Sequence, residues 1–422
     1  MASDHDRRVV ITGAGVLSAI ADSAAGLHAA LCQGKSGLKP IELFSTEGLG
    51  CHQAGEIRPF EPRDYLGERN LRPIDRTSRL LLVAAGQALA AAGWTPEALA
   101  AGENEVGLVL GTTFCSVRTI AEFDRRGLQL GPSYASPFDF ANSVINAAAG
   151  QAAIWFGLRG LNTTISAGES SGLAAIGYAT GQIRGGRAAA VLAGGVEELC
   201  FESFVGHYRA GRLCGSHGES EEVPVPFHPR RNGFALAEGA ALLMLEDAEA
   251  AAARGVPVLA EVRGHGGAFA PRRTREDGAG AVARAILVAL EDAGLGPGDV
   301  DCLSVSASGS VESDLWEAVG IATALGPRAA DLPVAAIKAQ LGEALGASGG
   351  LQAVALLGTL RDGMLPGVAG LAEPAADIPL RGAGAENRRV RARWALATSL
   401  SADGHASAVI LGAPGAASGV GG

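Results

Sequence analysis

Short runs of β-branched residues alternate with longer Ala-rich stretches along the whole chain, and this alternation limits the possible folds more than any other feature. Strands that alternate with helices are typical of α/β architecture, in which helices cover a buried sheet. Charged residues make up only 18% of the sequence, which suits close helix–sheet packing rather than disorder. The pattern predicts strands at residues 8–12, 106–111, 162–166, 189–193, 302–307, 334–337 and 394–399. It predicts helices at residues 74–92, 170–184, 278–293, 312–325 and 348–363.

The two halves of the chain repeat one another. The predicted strand that leads to Thr112 has a counterpart in the predicted strand that leads to Ser308. The strand and helix on either side of Glu169 have a counterpart in the strand and helix of residues 334–363. This repetition predicts an internally duplicated fold with two sheets rather than a single doubly wound sheet. We place the divide near residue 255, which gives an N-terminal half of residues 1–255 and a C-terminal half of residues 256–422.

Charge and cysteine usage exclude several classes of partner and site. The net charge is −10, which argues against nucleic acid and against an anionic membrane surface as partners. The polar opening of the chain has no leader-like apolar segment, and no apolar run is long enough to cross a bilayer. The six cysteines show no metal-ligand spacing and are typical of reduced thiols, so we expect a cytoplasmic protein without a bound metal.

A glycine-rich run after the first predicted strand is similar to a dinucleotide-binding fingerprint. The run is Thr12-Gly-Ala-Gly-Val-Leu-Ser18, with a serine in place of the third glycine. No acidic residue ends a second strand about 20 residues further on, where such a site needs one for the ribose. We therefore expect a tight strand-to-helix turn here and no nucleotide or other cofactor.

The most specific segment is Asn162-Thr-Thr-Ile-Ser-Ala-Gly-Glu169-Ser-Ser-Gly172 with the helix that follows it. It resembles the nucleophile segment of β-ketoacyl synthases, in which a cysteine at the turn takes up the acyl chain as a thioester. Further segments of that family follow in order along nearly the full length, including Val191-Leu-Ala-Gly-Gly195 and Pro226-Phe-His-Pro-Arg-Arg-Asn-Gly233. The resemblance implies a thiolase-like fold, in which duplicated α/β halves form five αβαβα layers.

All three catalytic positions of that family are replaced in this chain. The resemblance places Glu169 in the slot of the cysteine, Ser308 in the slot of the first histidine and Glu343 in the slot of the second. Only Lys338 is retained. A carboxylate cannot form the thioester that condensation needs, and no imidazole is left to polarise the thioester carbonyl. The segment therefore indicates a ketosynthase scaffold without ketosynthase condensation.

Two interpretations of the altered site remain open. Glu169, Ser308 and Glu343 could form a different active site, in which Glu343 serves Ser308 as general base. We favour an electrostatic role, in which Glu169 is stabilised by the N-terminus of the following helix and neutralised by Lys338. None of the eight histidines lies near these turns in sequence.

The chain also resembles chain length factors, which are the β subunits of type II polyketide ketosynthase heterodimers and lack the cysteine. In that group the slot of Glu169 usually holds Gln. The segment from Gly131 to Gln151 resembles the dimer-interface stretch of such subunits, and the C-terminal gate at Ser399–Ala406 lacks the usual aromatic residue. The resemblance implies a partner ketosynthase with a Cys-His-His triad, and an acyl carrier protein that binds mainly through that partner.

The resemblance further implies that bulky residues of this chain line the far end of the polyketide tunnel. The candidates for the tunnel and interface are Thr112, Phe114, Arg118, Ser133, Tyr134 and Phe138. Two other functions stay open at this stage. One is a decarboxylase that acts alone on malonyl-carrier protein through Glu169, and the other is a purely structural pseudo-ketosynthase.

Overall fold

The computed structural model describes residues 7–101, 105–271 and 274–416. Its strands, β1 to β15, are Val9–Ser18, Leu38–Pro40, Gln53–Gly55, Val106–Gly111, Asn162–Ile165, Ala190–Glu197, Leu236–Ala237, Gly239–Asp247, Ala260–Phe269, Cys302–Ser304, Val334–Ala335, Met364–Leu365, Arg388–Arg389, Trp394–Leu400 and His405–Gly412. Its helices, α1 to α14, are Ala24–Cys32, Pro62–Leu66, Arg76–Ala91, Pro96–Ala101, Val117–Leu130, Pro137–Ala141, Ala147–Phe156, Ser171–Arg184, Phe201–Arg209, Ala248–Ala253, Arg275–Ala293, Val311–Leu325, Lys338–Leu341 and Ser348–Asp362.

Ten strands are hydrogen-bonded in the order β11-β10-β14-β15-β9-β1-β8-β6-β4-β5. The order divides into one set of five strands from each half of the chain. The two sets meet where Val9–Ile11 of β1 pair antiparallel with Ala260–Val262 of β9. In each set the outer strands are parallel, and the two strands nearest the junction are antiparallel to their neighbours. The duplication expected from the sequence is therefore present, and the two sets are continuous through three residue pairs.

The helices form three layers around the two sets of strands. Helices α3 and α7 cover the N-terminal set, and α11 and α12 pack together over the C-terminal set. Helices α8 and α14 contact each other and strands of both sets, which places them in the central layer. A separate hydrophobic core fills each of the three helical layers. This is the expected five-layer αβαβα arrangement.

Glycines allow the two central helices to approach closely. A Cβ atom on Gly172 of α8 would lie 2.8 Å from the carbonyl oxygen of Gly346, and one on Gly349 of α14 would lie 2.5 Å from the nitrogen of Leu173. Contacts this short exclude any side chain at these positions. The close approach brings the turn before α8 next to the segment before α14, where Glu169 and Glu343 lie.

The glycine-rich run Thr12–Ser18 is not the turn that we expected. Strand β1 continues through it to Ser18 and pairs with β8 along its length, with one irregularity between Ile11 and Gly13. A Cβ atom on Gly15 would lie 1.9 Å from the carbonyl oxygen of Ala84 in α3. The glycines therefore permit a helix to pack directly on the strand, which explains the run without any nucleotide.

Candidate active site

Glu169 lies in the turn between β5 and α8, where Gly168 takes a positive φ of 55°. The hydroxyl of Ser171 holds the turn, because it accepts from the nitrogen of Ala167 at 2.9 Å and donates to the carbonyl of Gly168 at 2.6 Å. Only 5% of Glu169 is exposed. The sequence therefore places a carboxylate in a buried position, where an unpaired charge would be costly.

The carboxylate of Glu169 is neutralised by Arg212, which donates to Oε1 through Nη2. Oε2 accepts from the hydroxyl of Ser401 at 2.7 Å and from the backbone nitrogen of Ala402 at 3.0 Å. Burial alone would raise the pKa of Glu169, but the charge of Arg212 and these hydrogen bonds lower it to about 2. Glu169 is therefore an ionised and fully bonded group at neutral pH.

The expected partner of Glu169, Lys338, pairs with another carboxylate. Its Nζ lies 2.7 Å from Oε2 of Glu343 and donates to the hydroxyl of Ser306 at 2.9 Å. The other oxygen of Glu343 accepts from the nitrogen of Leu345 at 2.9 Å and from the hydroxyl of Ser348 at 2.7 Å. The prediction that Lys338 neutralises Glu169 was wrong, since Glu169 pairs with Arg212 and Lys338 pairs with Glu343.

The N-terminus of α8 does not bind the carboxylate of Glu169 either. The donors to its two oxygens are Arg212, Ser401 and the backbone of Ala402, all outside α8. The nitrogens of Ser170 and Ser171 donate instead to carbonyl groups of the turn. The carboxylate of Glu169 is thus stabilised by the side chain of Arg212 and by Ser401 and Ala402 in the loop after β14, and not by the helix terminus that we expected.

The three replaced catalytic positions lie around one small cavity. Glu169, Ser308 and Glu343 all line it, together with Arg212, Phe234 and Glu317 among others. Its volume is about 20 Å³, which is room for about one water molecule. The resemblance in sequence thus identified positions that are neighbours in the fold.

The geometry gives Ser308 no general base. The backbone nitrogen of Ser308 donates to Asp314 at 2.9 Å, but no hydrogen bond joins its hydroxyl to Glu343 among the described residues. Both oxygens of Glu343 are occupied by other donors. Nearby, burial raises the pKa of Glu317 to about 7, although hydrogen bonds from Thr398 and Ser306 act to lower it. The cavity therefore holds acids without a hydrogen-bonded nucleophile.

His207 is a member of the site that the sequence did not reveal. Its Nδ1 lies 3.1 Å from Nη1 of Arg212, and its ring contacts Phe114 and Phe234 at centroid distances of 5.9 and 5.5 Å. Burial, together with the charge of Arg212, lowers the pKa of His207 to about 4. Because Arg212 donates to Nδ1, the neutral ring carries its proton at Nε2, which has no acceptor among the described residues. His207 therefore holds one terminal nitrogen of Arg212, Nη1, while the other, Nη2, donates to Glu169.

Comparison with known proteins decides the family. Residues 6–251 match the N-terminal domain of β-ketoacyl synthases, and residues 259–372 match their C-terminal domain. The chain belongs to the β-ketoacyl synthase family. The 3-oxoacyl-[acyl-carrier-protein] synthase 2 of Synechocystis sp. is 30% identical over 409 residues, which cover 96% of this chain and 98% of that protein.

Two solved structures extend the comparison. The ishigamide ketosynthase/chain length factor has a TM-score of 0.88 and 30% sequence identity, covering 97% of this chain and 100% of that one. A type II polyketide synthase acyl-carrier protein in complex with its ketosynthase bound to the hexaketide has a TM-score of 0.85 and 26% identity. That match covers 96% of this chain and 99% of the other. The thiolase-like fold expected from the sequence is thereby confirmed.

Within this β-ketoacyl synthase scaffold, the expected tunnel and interface residues lie at different depths. Thr112 is buried and donates to Glu197 at 3.3 Å, and the same carboxylate accepts from the nitrogens of Thr113 and Gly346. Phe114 is 43% exposed and contacts the ring of His207, so it joins the buried site to the surface.

The other four expected residues lie further out. Ser133 and Tyr134 form a short 3₁₀ turn at the surface. Arg118 and Phe138 line a cleft of about 380 Å³ between α3, α5 and α6. Among the six, Phe114 contacts His207, and the carbonyl of Thr112 accepts from the hydroxyl of Ser171 in the turn of Glu169 at 3.2 Å.

The residues that the structure describes include neither a membrane-spanning helix nor a cluster of metal ligands. No helix there is long and apolar enough to cross a membrane. No group of three or more His, Cys, Asp or Glu residues there has the geometry to hold a metal ion. The absence of a cofactor stays a prediction from the sequence.

Proposed function

We propose that this β-ketoacyl synthase homologue is a chain length factor, a subunit that does not condense but pairs with a ketosynthase that bears the Cys-His-His triad. In this proposal the pair works on an acyl carrier protein in the cytoplasm during type II polyketide or polyene synthesis. The observation that carries the proposal is the ion pair of Glu169 and Arg212 at the position of the nucleophile.

The chemistry of the altered site supports a subunit that takes up no acyl chain. Condensation needs a thiolate that attacks a thioester and donors that stabilise the oxyanion. Here the position holds an ionised carboxylate whose oxygens already accept three hydrogen bonds. The cavity beside it, at about 20 Å³, is far too small for an acyl group. A stand-alone decarboxylase would also need Glu169 free to contact the malonyl thioester.

An exposed apolar surface supports a protein partner. Helices α5, α6 and α7 with the intervening turn carry large apolar side chains that are exposed in the isolated chain. These are Leu128, Tyr134, Phe138, Phe140 and Ile154. Strand β5, at the end of the sheet, pairs with β4 on one side only among the described residues. Apolar patches and open sheet edges are typical of protein interfaces and otherwise promote aggregation.

The position of Phe114 supports a role in product length. It connects the buried cluster of Arg212 and His207 to the surface beside α5. In a tunnel that crosses the subunit interface, the ring of Phe114 would form part of the wall on this subunit. The bulk of residue 114 would then set how far the growing chain can extend, without any reactive group on this subunit.

The comparisons supply context for the proposal. One structural neighbour is a ketosynthase/chain length factor, and another contains an acyl-carrier protein with its ketosynthase. The relatives named 3-oxoacyl-[acyl-carrier-protein] synthase 2 are similar over nearly their full length. We therefore base the proposal on the residues at the site, because overall similarity is compatible with either a condensing or a non-condensing subunit.

Co-expression with a candidate ketosynthase that bears the cysteine tests the proposal. The pair is expected to co-elute in size-exclusion chromatography, and only the pair is expected to convert malonyl-carrier protein to product. If this chain consumes malonyl-carrier protein alone, it is a decarboxylase and the proposal is wrong. If the pair forms but product length ignores changes at all six expected tunnel residues, Thr112 and Phe114 included, the chain is a structural pseudo-ketosynthase.

A further inference from the structure

An apolar groove lies on the outer face of the N-terminal half, away from the cluster around Glu169. It runs between α2, α3, α4 and the C-terminal end of α7 and has a volume of about 660 Å³. Its floor is formed by buried side chains, among them Leu82, Leu89 and Leu99. Trp94 and Trp155 form parts of its walls. This volume and lining are typical of small-molecule sites, which are mainly apolar with a few polar groups.

The polar groups of the groove select for an anion. Arg69 and Arg159 line it, and none of the lining residues is Asp or Glu, although the chain as a whole has a net charge of −10. Arg69 stacks over Trp155 with its guanidinium 4.8 Å from the ring centroid, and it donates one hydrogen bond to the Trp155 carbonyl. Both arginines are exposed, and neither forms an ion pair with a carboxylate among the described residues. Their charges are therefore available to a ligand.

We propose that this groove binds an aliphatic carboxylate, with the acyl chain on the apolar floor and the carboxylate between Arg69 and Arg159. The site is separate from the cavity of Glu169, with which it shares no lining residue. It does not depend on pairing with a ketosynthase. An aliphatic acid satisfies both properties of the groove, whereas a neutral hydrocarbon would leave the arginines unused and an inorganic anion would leave the floor unfilled.

Isothermal titration of dodecanoate into the full chain, below its micellar concentration, tests the site. The double variant Arg69→Gln/Arg159→Gln should bind dodecanoate about tenfold or more weakly, since charged hydrogen bonds are lost. The same variant should bind the methyl ester of dodecanoic acid as wild type does. Fluorescence provides a second readout, because Trp94 and Trp155, two of the four tryptophans, line the groove.

A filling variant locates the binding. A Cβ atom on Gly86, in α3, would make an ordinary contact of 3.4 Å with Phe156, so Gly86→Leu should fill the groove and abolish binding. Gly127→Leu is the matched control, because Gly127 is also in a helix and has open space around it. Absence of dodecanoate binding to wild type would overturn the proposal. Unchanged affinity in the double arginine variant, or in a folded Gly86→Leu variant, would overturn it as well.

Discussion

Arg212 forms an ion pair with the buried Glu169 at the position where β-ketoacyl synthases carry their nucleophile, and Nη1 of Arg212 lies 3.1 Å from Nδ1 of His207. The pair closes the site with two charges that neutralise one another. The same two residues therefore account both for the lost condensation chemistry and for a part of the stability of the fold.

Removing Arg212 should destabilise the chain more than removing the charge of Glu169. Arg212→Met leaves a buried carboxylate without its cation, and we expect a loss of roughly 2–4 kcal/mol, below the range for fully buried pairs because Arg212 is 29% exposed. Glu169→Gln should cost less, since the arginine can reach water. The double variant should recover much of the loss. Chemical denaturation of wild type, the two single variants and the double variant measures the coupling free energy of the pair. An Arg212→Met variant with the same free energy of unfolding as wild type would contradict the ion pair.

Glu169 should also stabilise the fold down to low pH. Its pKa is lowered in the folded chain from 4.5 to about 2, so its contribution is complete above 4.5 and is lost as the pH falls toward 2. In Glu169→Gln this part of the pH dependence should be missing. Urea denaturation between pH 3 and 6 compares the variant with wild type. Identical pH profiles would show that the carboxylate is not held in its charged form.

Glu198, in contrast to Glu169, should lower the stability of the fold as the pH rises. Burial, with the nearby charge of Asp75, raises its pKa from 4.5 to about 8. A carboxyl group with a raised pKa holds its proton more tightly in the folded chain, so stability falls as the pH rises from 4.5 toward 8. Glu198→Gln removes this loss, so its free energy of unfolding should increase relative to that of wild type between pH 5 and 8. A constant difference over that range would contradict a protonated Glu198.

The fold could be predicted from the sequence further than the site could. The order of family-like segments gave the duplicated five-layer fold, and the strand predicted at residues 106–111 is present with the same bounds. Glu169, Ser308 and Glu343 were found because each occupies a recognisable turn. The glycine run at Thr12–Ser18 misled us, because glycine permits close helix packing as well as tight turns.

The ion-pair partners could not be predicted from the sequence. Arg212 is 43 positions away from Glu169 and lies in the loop after α9, and His207 reaches the site from α9 itself. Lys338, the family lysine that we expected to pair with Glu169, pairs instead with Glu343, five positions further along the chain. Which of several basic residues neutralises a buried carboxylate depends on tertiary packing, and no local pattern encodes it.

The apolar surface of α7 should be needed for pairing. Ile154 is 81% exposed in the isolated chain, and Ile154→Glu should weaken co-elution with the ketosynthase by placing a charge in the interface. Leu287→Glu is the matched control, because Leu287 is an exposed leucine on α11 in the opposite outer layer. Equal effects of the two variants, or none from Ile154→Glu, would contradict the proposed surface.

Resizing Phe114 should change the length of the product. Phe114→Ala enlarges the space beside His207 and should add extension rounds, whereas Phe114→Trp should remove them. Mass spectrometry of the products of the reconstituted pair measures both. Phe201→Ala serves as control, since Phe201 is 44% exposed, as Phe114 is 43% exposed, but contacts Phe44 and lies outside the proposed pairing surface. Unchanged products in both Phe114 variants would remove this residue from the tunnel.

The most direct test of the central claim is intact-protein mass spectrometry of the pair after incubation with carrier protein that is loaded with an acyl thioester. Our account predicts that the acyl mass appears on the cysteine-bearing partner alone, and that this chain keeps its unmodified mass because Glu169 is ionised and paired with Arg212. An acyl group on this chain would contradict the account and would identify it as a subunit that accepts substrate.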